Sequence, residues 1–321
     1  MKEIKITDIG GIKIGQTQDI EGASGCTVII CEKGACASVD VRGGGPASRE
    51  TELLKPINMV QEIHAVMLSG GSAYGLDASA GAMQYLEEKG IGFDVGVGIV
   101  PIVCGASLFD LAVGDPKCRP DKKMGYEACV ASEKCEDPKQ GNFGAGTGAS
   151  VGKFLGPDYS MKSGIGTYAV QCGNLQVAAI VAVNALGDVI DVETGKEIAG
   201  MLTEDKNGLR RTPDVMYSEY DSGRNVFNGN TTIGCIITNA KITKTQANKI
   251  ASMAHNGFAR AINPVHTSAD GDSIFVMATG VAEAGQDALG TLAAEVMAKA
   301  INNAVKNTEP AYGLKSAKSL L

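Results

Sequence analysis

Strand-length apolar runs that alternate with helical spacing, joined by glycine-dense turns, restrict this chain more than any other feature. Residues 65–68 (AVML) feed the turn SGGSAYG, and over 72–89 Leu76, Ala80, Met83 and Leu86 fall at helical spacing, closed by Gly90. The alternation returns near the other end. Thr243-Lys-Thr-Gln246 is a capping-box pattern that opens a helix to about Ile262, with Ile250, Ala254, Phe258 and Ile262 on one face and a stop before Pro264. Residues 273–279 (SIFVMAT) then read as a strand and 286–305 as a long helix carrying Leu289, Leu292, Val296 and Ala300. Because each helix buries one stripe, the predicted class is α/β (α+β), a layered sandwich with helices outside and sheets within. Forty-two glycines and no tryptophan describe a core of small aliphatic side chains in which backbone approaches backbone.

The remaining chain is read more coarsely. Residues 26–31 and 35–41 are two β-rich runs separated by EKG, which predicts a hairpin, and RGGGPASRET follows as a loop. Residues 92–137 are expected to be irregular, with one short helix near 126–132. Residues 176–191 predict a buried strand, a turn at 184–188 and a second strand. The polar stretch 198–229 reads as a linker, and the β-rich run TTIGCIIT starts directly after it, so the boundary falls at Gly229-Asn230-Thr231. No internal repeat or low-complexity tract is visible.

At 321 residues the chain can form one large domain or two ordinary ones, and 44% hydrophobic residues fill a sizeable core. A net charge of -7 argues against a nucleic-acid partner, which needs clustered Lys and Arg. The opening MKEIKITDIGGIKIG has no leader character and no apolar run approaches about 18 residues, so a cytoplasmic protein without a membrane partner is expected. Nine cysteines form no C-x-x-C pair, and three histidines cannot complete a zinc spacing, so neither metal nor cofactor is expected. His64, His255 and His266 are too scattered to carry catalysis. The segment ending Gly152-Lys153 fails as a P-loop, with Thr147 in place of the first glycine and Phe154 in place of the Ser or Thr that holds magnesium.

Two motifs carry chemistry. In Asn230-Thr231-Thr232, a threonine hydroxyl becomes a competent nucleophile if its own α-amino group is free to act as base. In the intact chain that group is an amide, so the hydroxyl must first attack the preceding carbonyl and cut the chain there. Read alone, the triplet is an ordinary strand entry, and only its context favours the nucleophile. Asp270-Gly-Asp272 places two carboxylates at another strand entry, where paired acids commonly divide into one charged and one protonated member. Its plain alternative is a solvated Asp-Gly turn.

Together, GNTTIGCIITNA at 229–240, TSADGDSIFVMATG at 267–280, LSGGSAYGLDASAGAMQYLEEKGIGF at 68–93 and GNFGAGTGASVGK at 141–153 resemble the P1 family of peptidases. This is the S58 group of D-aminopeptidase/esterases, β-peptidyl aminopeptidases and nylon-oligomer hydrolases, and the likeness runs in order from about residue 10 to 310. The resemblance implies a four-layer αββα sandwich, a single domain that cuts itself into residues 1–230 and 231–321, and assembly as a homotetramer. It places the nucleophile on Thr231 after Asn230, the acidic pair on Asp270 and Asp272, an active-site lysine on Lys153 and an oxyanion donor on Asn184. A solvated surface lysine is the lesser alternative for Lys153, and without the resemblance Asn184 reads as a turn residue. The implied activity is that of an aminopeptidase/amidohydrolase releasing N-terminal residues from small peptides, amides or esters through an acyl-enzyme on Thr231. An acyltransferase of the ornithine acetyltransferase type and a non-enzymatic metabolite-binding protein are the competing readings.

Overall fold

The computed structural model describes residues 1–221 and 229–320. Ten strands form one continuous hydrogen-bonded sheet: β1 (Lys2–Glu3), β2 (Lys13–Asp19), β3 (Ser24–Val41), β4 (Ala47–Arg49), β5 (Glu62–Ser69), β6 (Val103–Ser107), β7 (Ile165–Cys172), β8 (Leu175–Ala182), β9 (Ile233–Ala240) and β10 (Ser273–Ala282). Their order is β1-β7-β8-β9-β10-β3-β5-β6-β4, with β2 also on β3. The five helices are α1 (Ala78–Glu88), α2 (Lys122–Ser132), α3 (Thr212–Ser218), α4 (Lys244–Ala261) and α5 (Gln286–Lys306).

β3 replaces the predicted hairpin. It runs through EKG without turning back, and its register against β5 shifts between Ile30 and Ala35, with Gly34 at φ +83°. A bulge bends a strand and raises its twist, which lets one strand serve two sheets. The first half of β3 pairs with β2 and β5, and the second half pairs with β10.

Alternation along the strands then sets four layers. Val177, Ala179, Val181, Val276 and their like face α4 and α5, including Phe258, Val296 and Met297. Ala178, Ile180, Cys235, Phe275 and Met277 face the opposite way and meet Ile29, Val66, Leu68 and Cys104 across the middle. Val28, Ile30, Ala65 and Met67 cover α1 and α2. The result is the αββα sandwich anticipated above.

Three local expectations change. Residues 103–107 form a buried strand, β6, inside the stretch expected to be irregular, and α2 begins at Lys122 rather than near 126. The stretch read as a linker is ordered up to residue 221, where Met201–Leu202 pairs with Leu209–Arg210 and α3 follows; residues 222–228 lie outside the described chain. Asp188 organises this part, accepting hydrogen bonds from Met201 N (2.9 Å), Thr212 N (2.6 Å) and Thr212 Oγ1 (2.6 Å). Burial pushes the Asp188 carboxyl up to about 6.

Candidate active site

Strand pairing alone brings the two motifs together. β9 and β10 are parallel neighbours in the register Ile233↔Ser273, so the residues just before each strand lie side by side. β8 runs antiparallel to β9 with Ala182 opposite Ile233, which delivers Asn184 to the same end of the sheet. β3 also ends there, with Val41 opposite Ser273. Its following loop clamps the Asp-Gly-Asp turn: Arg42 N donates to Asp272 O (2.9 Å) and Gly45 N to Asp270 O (2.8 Å). The glycine-rich segment crosses the turn after β8 through Gly152 N to Gly187 O (3.1 Å) and Lys153 N to Leu186 O (3.0 Å).

All five predicted site residues and Asn230 converge in this buried cluster. The Thr231 hydroxyl donates to the carbonyl of Asn230 in a short contact, and the same carbonyl accepts from Gly271 N (3.1 Å). Thr231 N donates to Asn184 O (2.8 Å). Lys153 Nζ donates to Asn184 Oδ1 (2.8 Å), Asn184 O (3.1 Å) and Gly229 O (3.2 Å). The Asn184 amide donates to Phe109 O (2.9 Å) and lies 3.5 Å from Gly229 O.

Two glycines are required by close approach. A Cβ on Gly271 would sit 2.6 Å from Thr231 Oγ1, and one on Gly229 would sit 2.1 Å from the Phe109 ring. Gly271 is therefore needed for room beside the hydroxyl, whereas the sequence suggested only a turn. Gly229 also has a left-handed backbone at φ +57°.

The acids divide by environment. Asp270 Oδ2 accepts from Thr267 N (2.7 Å) and Thr267 Oγ1 (2.6 Å). Burial, then the neighbouring Asp272 charge, pushes the Asp270 carboxyl up to about 6. Asp272 Oδ1 accepts from Thr232 N (2.8 Å), and its Oδ2 meets His266 Nδ1 at 2.8 Å. Burial pulls Lys153 down to about 7, against the opposing pull of Asp270, Asp110 and Asp272.

Sequence spacing missed three contributors. His266, given no role there, sits on Asp272. Lys162 is completely buried and donates from Nζ to Gly146 O (3.1 Å), Ala149 O (3.0 Å) and, in a short contact, Ser163 O, so it braces the segment that leads to Lys153. Asp110 accepts from Gly71 N (2.7 Å) and Ser24 Oγ (2.8 Å) and so ties down the Gly70-Gly71 turn from inside, while burial pushes its carboxyl up. A lone lysine or aspartate in a polar context carries no spacing signal.

The profile of peptidase family S58 matches residues 5–319. The chain belongs to this family. It is a hydrolase of peptide and amide bonds, as S58 members are. An uncharacterised aminopeptidase of Mycobacterium tuberculosis is 38% identical over 346 residues, covering 98% of this S58 chain and 97% of that protein. The 6-aminohexanoate-oligomer endohydrolase of Paenarthrobacter ureafaciens is 31% identical over 321 residues, covering 95% and 87%. Among solved structures, the L-aminopeptidase D-Ala-esterase/amidase of Ochrobactrum anthropi, described as a variant of the Ntn hydrolase fold, matches with a TM-score of 0.69 at 17% identity, covering 95% of this chain and 86% of that one. That likeness concerns the fold.

Proposed function

We propose that this S58 peptidase matures by cutting itself between Asn230 and Thr231 and then hydrolyses small amides, peptides or esters through an acyl-enzyme on Thr231. The observation that carries this reading is the Thr231 hydroxyl against the Asn230 carbonyl, with Gly271 N–H on the same oxygen. Attack by Oγ1 on that carbonyl carbon forms a C–O bond, and the developing oxyanion keeps the Gly271 donor. The C–N bond then breaks as the Thr231 nitrogen takes a proton, leaving an ester that water hydrolyses. The Asn230 side-chain amide supports departure, since it is buried and neither polar atom has a partner among the described residues. Such a group costs about 1–3 kcal/mol while it stays buried.

In turnover, the freed amine of Thr231, resting on Asn184 O, takes the hydroxyl proton and later protonates the leaving amine. Lys153 and the Asp270–Asp272 pair set the charge around it. Loss of Gly229 and Asn230 relieves the Asn184 amide of one carbonyl and exposes it toward the acyl group.

A cavity of about 350 Å³ opens beside Lys153, walled by Phe109, Val113, Pro157, Tyr312 and Leu314. Phe109 packs on Gly229, so this cavity lies on the acyl side of the bond to be cut. Lys153 is the one charged side chain among its described lining residues. The mostly apolar lining therefore favours an apolar acyl chain. All nine cysteines are free thiols, which supports a reducing, cytoplasmic setting.

Denaturing electrophoresis with intact-mass measurement tests the reading. The wild-type chain is expected as two fragments ending at Asn230 and beginning at Thr231, and Thr231→Ala as one uncut chain. In a panel of aryl amides, apolar acyl groups are expected to turn over at least about tenfold faster than polar ones of the same length. Active enzyme with an intact chain would overturn the proposal.

A further inference from the structure

Asp272 is held by more donors than either the sequence or the family motif suggests. Oδ1 accepts from Thr232 N (2.8 Å), while Oδ2 accepts from His266 N (3.2 Å) and His266 Nδ1 (2.8 Å). An ionised carboxylate oxygen only accepts, so this contact needs a proton on Nδ1. Nε2 is buried without a partner among the described residues. The backbone of His266 is left-handed at φ +58°, a conformation entered by few residues other than glycine, with Asn, Asp and His enriched. Its ring is wedged by α4, edge-on to His255 at 4.7 Å and stacked on Phe258 at 5.9 Å between centroids. Both the backbone and the packing therefore aim one N–H at one oxygen.

We propose that His266 is a positioning residue, which locks the Asp272 carboxylate by two donors on Oδ2 so that Oδ1 stays on Thr232 N–H and holds the Thr231 hydroxyl beside Gly271. This rests on the reading of Thr231 as nucleophile. Without the imidazole, Oδ2 keeps only the longer backbone donor. The carboxylate, beside Asp270, is then free to rotate or to share the pair's proton. The charged groups around it are Asp270 on the same turn and Lys153 from the glycine-rich segment. Behind His266 stands His255, whose Nε2 meets Asp40 O at 3.0 Å, and beyond it Arg42 pairs with Asp40. Burial pushes His255 down to about 4, so no imidazolium at that position competes for Asp272.

His266→Gly and His266→Asn separate backbone from donor. Glycine keeps the left-handed backbone and removes the N–H; asparagine keeps both a left-handed preference and a side-chain N–H at similar reach. In the Gly variant, self-cleavage and kcat are expected to fall on the order of 10²-fold with KM little changed, because misplacing reacting groups acts on the transition state. The acid limb of its kcat profile, set by the acidic pair, is expected to move to higher pH. The Asn variant is expected to restore most of the rate and the original limb. A Gly variant that matches wild type, or an Asn variant as impaired as Gly, would overturn the proposal.

Nitrogen-15 NMR of histidine-labelled wild-type protein tests it even if the Gly variant does not fold. His266 is expected to carry a proton on Nδ1 near neutral pH, and a ring with Nδ1 bare would overturn the assignment. Failure of the wild-type chain to cut itself would instead count against the nucleophile reading, leaving the tautomer result standing.

Discussion

At Gly271 a single hydrogen atom separates a workable site from a blocked one. Gly271→Ala puts a methyl group 2.6 Å from the Thr231 hydroxyl and 2.9 Å from Gly45 O, and neither backbone can retreat without opening the clamp on the acidic turn. Self-cleavage measured by intact mass is expected to slow at least about 10²-fold, with the fold retained. Asp270 supplies a test in which stability and activity move oppositely. Its carboxyl rises from an ordinary 3.8 to about 6, so the folded chain binds that proton more tightly than the unfolded chain does. Stability from this group is present at low pH, falls as pH rises from about 3.8 to about 6, and is flat above. Asp270→Asn removes that cost. It is expected to raise stability above pH ~6 by on the order of 1–3 kcal/mol in urea melts while lowering kcat by about 10² or more. The meeting of Thr231 with the acidic pair was legible in the motifs. The reason for the glycine between the acids was not, because a close approach across two strand entries leaves no trace in spacing.

The helices were the best-read elements, since each carries its own stop and start. Thr243 accepts from Gln246 N (3.3 Å) and Gln246 Oε1 accepts from Thr243 N (2.8 Å), the reciprocal pattern the sequence announced. Thr243→Ala is expected to cost about 1 kcal/mol in thermal or urea denaturation, without changing the rate of self-cleavage. β3 was misread for a physical reason. EKG between two β-rich runs has the composition of a tight turn, and only long-range pairing with β5 and β10 shows that the chain keeps going. β6 was missed because glycine and small residues dominate VCGAS, a strand buried on both faces with little alternation to detect. α3 was hidden likewise, its start held by Asp188, the first residue of the short strand Asp188–Ile190.

For the whole molecule, the layer order followed from alternation, whereas the assembly depends on surfaces that sequence reading does not rank. The hairpin Phe93–Asp94 with Ile99–Val100 projects apolar side chains, and Val97 at its tip is 97% exposed. The likeness to the S58 peptidases implied a homotetramer, and if this chain forms one, exposed apolar side chains such as these are where it would bury surface. Val97→Asp is expected to shift the mass measured by light scattering toward smaller species, leaving the fragments from self-cleavage unchanged. Among the described residues, no helix is long and apolar enough to cross a membrane.

β9 and β10 both come from the chain after residue 230, and they lie between β8 and β3, which come from the chain before it. A break at 230/231 thus leaves two polypeptides interleaved like fingers of folded hands. Neither can slip out unless the hydrogen bonding along both β8 and β3 is torn open from end to end. The nick would pass unnoticed by sedimentation or gel filtration in native buffer, and the pieces would part only where the whole architecture melts.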